Sequence, residues 1–80
     1  MHNKDQADIL YGINPITEAL KVSKRICFRI IVENGKINPR LQALIALIQS
    51  KNILIESIPK EAFKKRYRSY VHQGIIGYFS

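Results

Sequence analysis

Ile26-Cys27-Phe28-Arg29-Ile30-Ile31-Val32-Glu33 is followed by an Asn34-Gly35 turn, by Asn38-Pro39-Arg40-Leu41 with Leu44, Ile45 and Ile48 beyond, and by Ile53-Leu54-Ile55-Glu56-Ser57-Ile58. The first run is rich in Ile, Val and Phe and predicts a buried central strand. Arg29 interrupts it, so its side chain is expected at an exposed edge or face. Asn38 supplies a cap and Pro39 a favoured first helical residue. Leu41, Leu44, Ile45 and Ile48 then share one face at i, i+3, i+4 and i+7. The last run predicts another strand. A strand, helix and strand in that order imply parallel pairing through a crossover helix.

Earlier in the chain, Ile9-Leu10-Tyr11 predicts a short strand stopped by Gly12. Asn14 followed by Pro15 repeats the capping device and predicts a helix to about Val22, with Ile16, Ala19 and Leu20 at helical spacing. Pro59 ends the third strand or opens a short helical turn through Phe63, after which a basic connection leads to a fourth strand, Ile75 to Phe79. The expected fold is a three-layer α/β/α sandwich on a mixed four-stranded sheet, one domain over residues 8–80 behind a polar leader, residues 1–7.

The 80 residues are 46% apolar and carry a formal net charge of +7, which favours anionic partners, nucleic acid ahead of a membrane surface. The single cysteine, Cys27, cannot form an internal disulfide and suits a reducing compartment; it also argues against a cysteine metal cluster. The apolar run from Ala43 to Ile48 is far too short to cross a bilayer, and the first eight residues are unlike a signal peptide, so the expected location is cytoplasmic.

Two motifs stand at the ends of this domain, Tyr11-Gly12-Ile13-Asn14-Pro15 and His72-Gln73-Gly74-Ile75-Ile76-Gly77. Unpaired N–H groups at a helix start favour a phosphate and glycine permits close backbone approach, although Pro15 removes one donor. Equally, Asn14 simply caps its helix and Gly12 turns the chain. Between Lys60 and Tyr70, the cations Lys60, Lys64, Lys65, Arg66 and Arg68 outweigh Glu61 and interleave with Tyr67 and Tyr70. Such a segment suits RNA, with cations on phosphates and rings on unpaired bases. The alternative is a solvated loop with one buried tyrosine, for which Tyr70, beside the last strand, is the better candidate. His72 and Gln73 can donate to a ribose or base edge, or else form a turn in which Gly74 takes a positive φ. No nucleophile–base pair accompanies His72, so no catalytic residue is assigned.

Tyr11-Gly12-Ile13-Asn14-Pro15-Ile16 with Glu18, Ala19 and Leu20, the order of elements, and His72-Gln73-Gly74-Ile75 at the closing strand together resemble the N-terminal substrate-binding domain of SpoU-type RNA methyltransferases. The resemblance spans about residues 8–80. It implies a module that precedes a SPOUT-class catalytic domain, which binds S-adenosylmethionine and methylates a ribose 2′-hydroxyl of ribosomal or transfer RNA. No cofactor is expected on the present chain, and no catalytic activity from it alone. Gly77-Tyr78-Phe79 departs from the family's usual small residue and valine. The implied fold is similar to that of the kink-turn-binding ribosomal proteins, in which Gly12, Asn14 and Glu18 match a glycine, an asparagine and a first helical turn that contact RNA. The RNA-binding candidates are thus Gly12, Asn14, Glu18, Lys64, Lys65, Arg66, Tyr67, Arg68, His72 and Gln73. The isolated chain is expected to be a monomer. A protein-interaction or dimerisation module using apolar strand edges, and an independent kink-turn RNA binder, are the competing functions.

Overall fold

The computed structural model describes residues 8–22, 25–35, 38–67 and 73–80. The leader, Arg68, Tyr70 and His72 lie outside the described residues. The elements are β1 (Asp8–Tyr11), α1 (Ile13–Lys21), β2 (Cys27–Glu33), α2 (Pro39–Ser50), β3 (Ile55–Ile58), α3 (Lys60–Tyr67) and β4 (Ile75–Phe79). The four strands form one mixed sheet in the order β1-β4-β2-β3. The α/β sandwich with a mixed sheet is therefore the fold, with one refinement to the pairing. Among the described strands, only β2 and β3 are parallel neighbours. The crossover through α1 does return β2 in the direction of β1, but it leaves a gap one strand wide, and β4 fills that gap antiparallel to both.

The central place of β4 follows from its side chains, since Ile75, Ile76 and Phe79 have no exposed surface. In an extended chain successive side chains point to opposite faces. Ile30, Val32, Ile75 and Phe79 accordingly join Ile13, Ile16, Ala19 and Leu20 of α1 and Leu41, Leu44 and Ile48 of α2 in one core. Ile31 and Ile76 face the other way and meet Ile58, Phe63 and Tyr67 under α3. That alternation explains why Ile30-Ile31-Val32 is apolar without a break. Gly77 lies under α1 in a filled part of the core: a Cβ there would stand 2.7 Å from Phe79 Cε1, 3.1 Å from Ile30 Cδ1 and 3.4 Å from Ile16 Cδ1.

Three sequence expectations change. The strand from Ile26 is buried only over its second half. The ladder shifts register between Cys27 and Arg29, leaving Phe28 in the irregularity and 56% exposed. The third strand begins at Ile55 rather than Ile53, because the chain turns through Asn52 at φ 60° before it can extend. The basic connection after Phe63 is not a loop as far as Tyr67. Helix α3 continues because Phe63 and Tyr67, one turn apart, both reach the core, with ring centroids 5.2 Å from each other.

Candidate nucleic-acid interface

The two end motifs meet. Gly12 leaves β1 with φ 95° and ψ 170°, and its N–H donates to Ile75 O at 3.0 Å. The next N–H, of Ile13, donates to Oε1 of Gln73 at 2.8 Å. Gln73 itself sits at φ 49° and Gly74 at φ 84°, which aims the amide across to α1. The cap of α1 is therefore supplied from the far end of the chain. Asn14 does not cap this helix, a correction to the sequence reading: Gly12 occupies the cap position, and no side chain of its own bonds back. A Cβ on Gly12 would lie 2.9 Å from Gln73 Oε1, so glycine is needed both for the backbone angle and for the cap's approach.

Asn14, released from capping, accepts a hydrogen bond from Arg40 Nη2 at 2.6 Å. The cap expected on the second long helix is present: Asn38 Oδ1 accepts from the N–H groups of Arg40 and Leu41 at 2.8 and 3.2 Å. Because β1 and β2 run in the same direction, α1 and α2 both start at one end of the sheet, which brings Asn14 and Arg40 together. Arg40 was not among the sequence candidates. Its signal was its place one residue after the Asn-Pro cap, read in combination with the parallel sense of the crossovers. Ile13, Asn14, Thr17, Arg40, Ala43, Leu44 and Leu47 line a groove of about 330 Å³ between the two helices. With the Ile13 N–H taken by Gln73 and Pro15 lacking one, the start of α1 has little backbone donor capacity for a phosphate.

Glu18 lies one turn along α1 from Asn14 and is exposed. Lys64, Lys65 and Arg66 are exposed on α3, in the opposite outer layer of the sandwich. Their position in the last turns of α3 also suits the helix dipole. Tyr67 does not belong with them as a base-stacking ring. It is 5% exposed, its hydroxyl is 2.9 Å from that of Tyr78, and burial together with this bond pushes its pKa up to about 12. The Arg66 guanidinium lies 5.6 Å from the centre of the ring. Arg68 and His72 lie outside the described residues.

Charge pairing separates the remaining arginines. Arg25 bonds Asp8 at 2.7 Å, and Arg29 gives Nε and Nη2 to Oε1 of Glu56 while lying 5.8 Å from the Tyr78 ring. The Glu56 hydrogen bond raises the Arg29 pKa still further, so it stays charged. Among the described residues, Arg40, Lys64, Lys65 and Arg66 have no carboxylate within ion-pair distance. No helix among the described residues is long and apolar enough to cross a membrane.

The chain matches the family described as RNA 2′-O ribose methyltransferase substrate binding over residues 9–80. It belongs to that family. It is also 27% identical over 70 residues to the 23S rRNA (guanosine-2′-O-)-methyltransferase RlmB of Pectobacterium atrosepticum, a match covering 88% of this chain and 29% of that protein. The chain thus spans about 29% of the length of the curated relative it matches. The resemblance read from the end motifs is confirmed, and both motifs fall inside the matched span of this substrate-binding domain.

Proposed function

We propose that this substrate-binding domain holds structured RNA, ribosomal ahead of transfer RNA, for a ribose 2′-O-methyltransferase. It supplies affinity and orientation, while S-adenosylmethionine and methyl transfer belong to a catalytic domain of the same enzyme in the cytoplasm. The preference for ribosomal RNA is supported by the RlmB relative, a 23S rRNA methyltransferase. The observation that carries the reading is the fixed polar edge where the end motifs meet: Gln73 on the start of α1, and Arg40 held by Asn14 without a carboxylate partner among the described residues. Donors fixed in this way recognise acceptor-rich RNA without first having to be ordered. Lys64, Lys65 and Arg66 add long-range attraction from the α3 layer, and Arg68 and His72 extend the proposed contact set. Gly12 acts by allowing Gln73 to approach, and Glu18 accepts hydrogen bonds from base amino groups.

Titration of the 80-residue chain with ribosomal RNA fragments and with transfer RNA, each across a salt series, tests this. Affinity is expected to fall steeply with salt and to favour the ribosomal fragments. Absence of binding to either RNA sinks the proposal. A second reading, as a protein-interaction module, is favoured by Leu54 and Phe28, which are 83% and 56% exposed at and beside edge strand β3. Concentration-dependent sedimentation of the chain alone would support self-association through that edge.

A further inference from the structure

We propose that the groove between α1 and α2 seats one unstacked nucleotide of the RNA, with its base against the aliphatic floor and its acceptors on Arg40 and Asn14. This rests on the RNA reading above and goes further by naming what part of the RNA enters and where. The floor is apolar: Ile13 and Leu44 are 5% and 3% exposed, and Ala43 and Leu47 complete it. Thr17 adds little polarity, because its hydroxyl already donates to Ile13 O at 2.7 Å.

The mouth is of a different character. Arg40 gives one N–H to Asn14 Oδ1, which fixes the guanidinium; among the described residues its other donors and the Asn14 amide nitrogen meet no further side-chain acceptor. No carboxylate is among the described lining residues. An apolar floor under a donor-rich, cationic rim suits a nucleobase attached to a phosphate. An arginine plane can cover an unstacked base or fork onto acceptor pairs such as guanine O6 and N7. The volume agrees: about 330 Å³ lies at the small end of the range for small-molecule sites. It admits one nucleotide and excludes a duplex, so selection would act on a bulged or looped residue.

The experiment compares two RNA hairpins closed by the same four-nucleotide loop of stacked bases, one fully paired in its stem and one with a single bulged nucleotide, binding to the 80-residue chain and to its Ala43→Phe and Arg40→Gln variants. Ala43 is exposed on α2, so the phenylalanine fills the groove without entering the core or changing charge. The unaltered chain is expected to prefer the bulged hairpin. Ala43→Phe should weaken that complex by about tenfold or more and leave the fully paired one unchanged, which also reports that the variant is folded. Arg40→Gln should weaken the bulged complex more than the paired one. Equal affinity of the unaltered chain for both hairpins overturns the nucleotide site and spares the RNA reading. So does an Ala43→Phe variant that weakens both hairpins equally, or one that weakens neither and leaves the groove to a protein partner. If the unaltered chain binds neither hairpin, the RNA reading fails and the groove assignment with it.

Discussion

The amide of Gln73 caps a helix that begins 60 residues earlier in the chain, its Oε1 accepting from the Ile13 N–H at 2.8 Å. Helix starts leave N–H groups without internal partners, and the usual remedy is a side chain at the cap position itself. Here Gly12 has none to offer. The closing strand β4, hydrogen-bonded to β1, brings Gln73 within reach and locks the first and last elements together.

Loss of this cap should be measurable. Gln73→Ala is expected to cost about 0.5–2 kcal/mol in urea denaturation, as for other helix caps. Gly12→Ala should cost at least as much, since its Cβ would stand 2.9 Å from Oε1 and its φ is 95°. In the Gln73→Ala background the steric part vanishes and only the backbone strain remains. The double-mutant cycle should therefore be non-additive, the pair costing less than the sum of its members. Additive costs would mean that the two residues do not meet.

The same relationship explains what was legible in the sequence. Asn14-Pro15 and Asn38-Pro39 look alike as dipeptides, and capping chemistry reads both as helix starts. Asn38 is a cap and Asn14 is not, because a cap supplied across the chain by Gln73 leaves no mark in local sequence. The unbroken apolar run Ile30-Ile31-Val32 and the spacing of Leu41, Leu44 and Ile48 identified a central strand and the second helix, since burial on both faces of a sheet and on one face of a helix imposes those patterns directly. The insertion of β4 between β1 and β2 was not legible: periodicity reports faces, not neighbours. Tyr67 was mistaken for a surface ring because Lys64, Lys65, Arg66 and Arg68 surround it in sequence, while the helical turn from Phe63 that buries it depends on packing against Ile31 and Ile76.

Gly77→Ala should destabilise the fold without altering the site. The new methyl would approach Phe79 Cε1 at 2.7 Å and Ile30 Cδ1 at 3.1 Å inside a filled core. Overpacking of this kind costs about 1–3 kcal/mol, readable as a lower urea midpoint at unchanged slope. An unchanged midpoint would mean that the Phe79 and Ile30 side chains can give way without cost.

The pair Tyr67–Tyr78 predicts an alkaline transition. A phenol whose folded pKa is about 12, against an ordinary 10.0, is held neutral by the fold. Its contribution is fully present below pH ~10 and is lost as pH rises through ~12, because the unfolded chain gives up its proton first. Ultraviolet titration should show a late-ionising tyrosine that disappears in Tyr67→Phe, and the variant's stability should fall less over that pH window. A tyrosine spectrum that titrates wholly near pH ~10 would contradict the burial of Tyr67 and its hydroxyl bond to Tyr78.

The exposed cations of α3 predict a salt effect separable from the groove. Lys64, Lys65 and Arg66 have no carboxylate partner among the described residues, so in RNA binding each phosphate they neutralise releases condensed counterions. Changing all three to alanine should flatten the plot of log affinity against log salt by about 0.7–0.9 for each phosphate no longer neutralised. Stability should fall by about 1 kcal/mol, since the three cations favour the end of α3 and Arg66 lies over the Tyr67 ring, although none of their side chains is buried. Tyr67→Phe should leave the slope untouched, because its ring faces Phe63 and the sheet rather than solvent. A triple variant that keeps the full slope would move the electrostatic contact away from α3, towards Arg40 and the start of the two long helices.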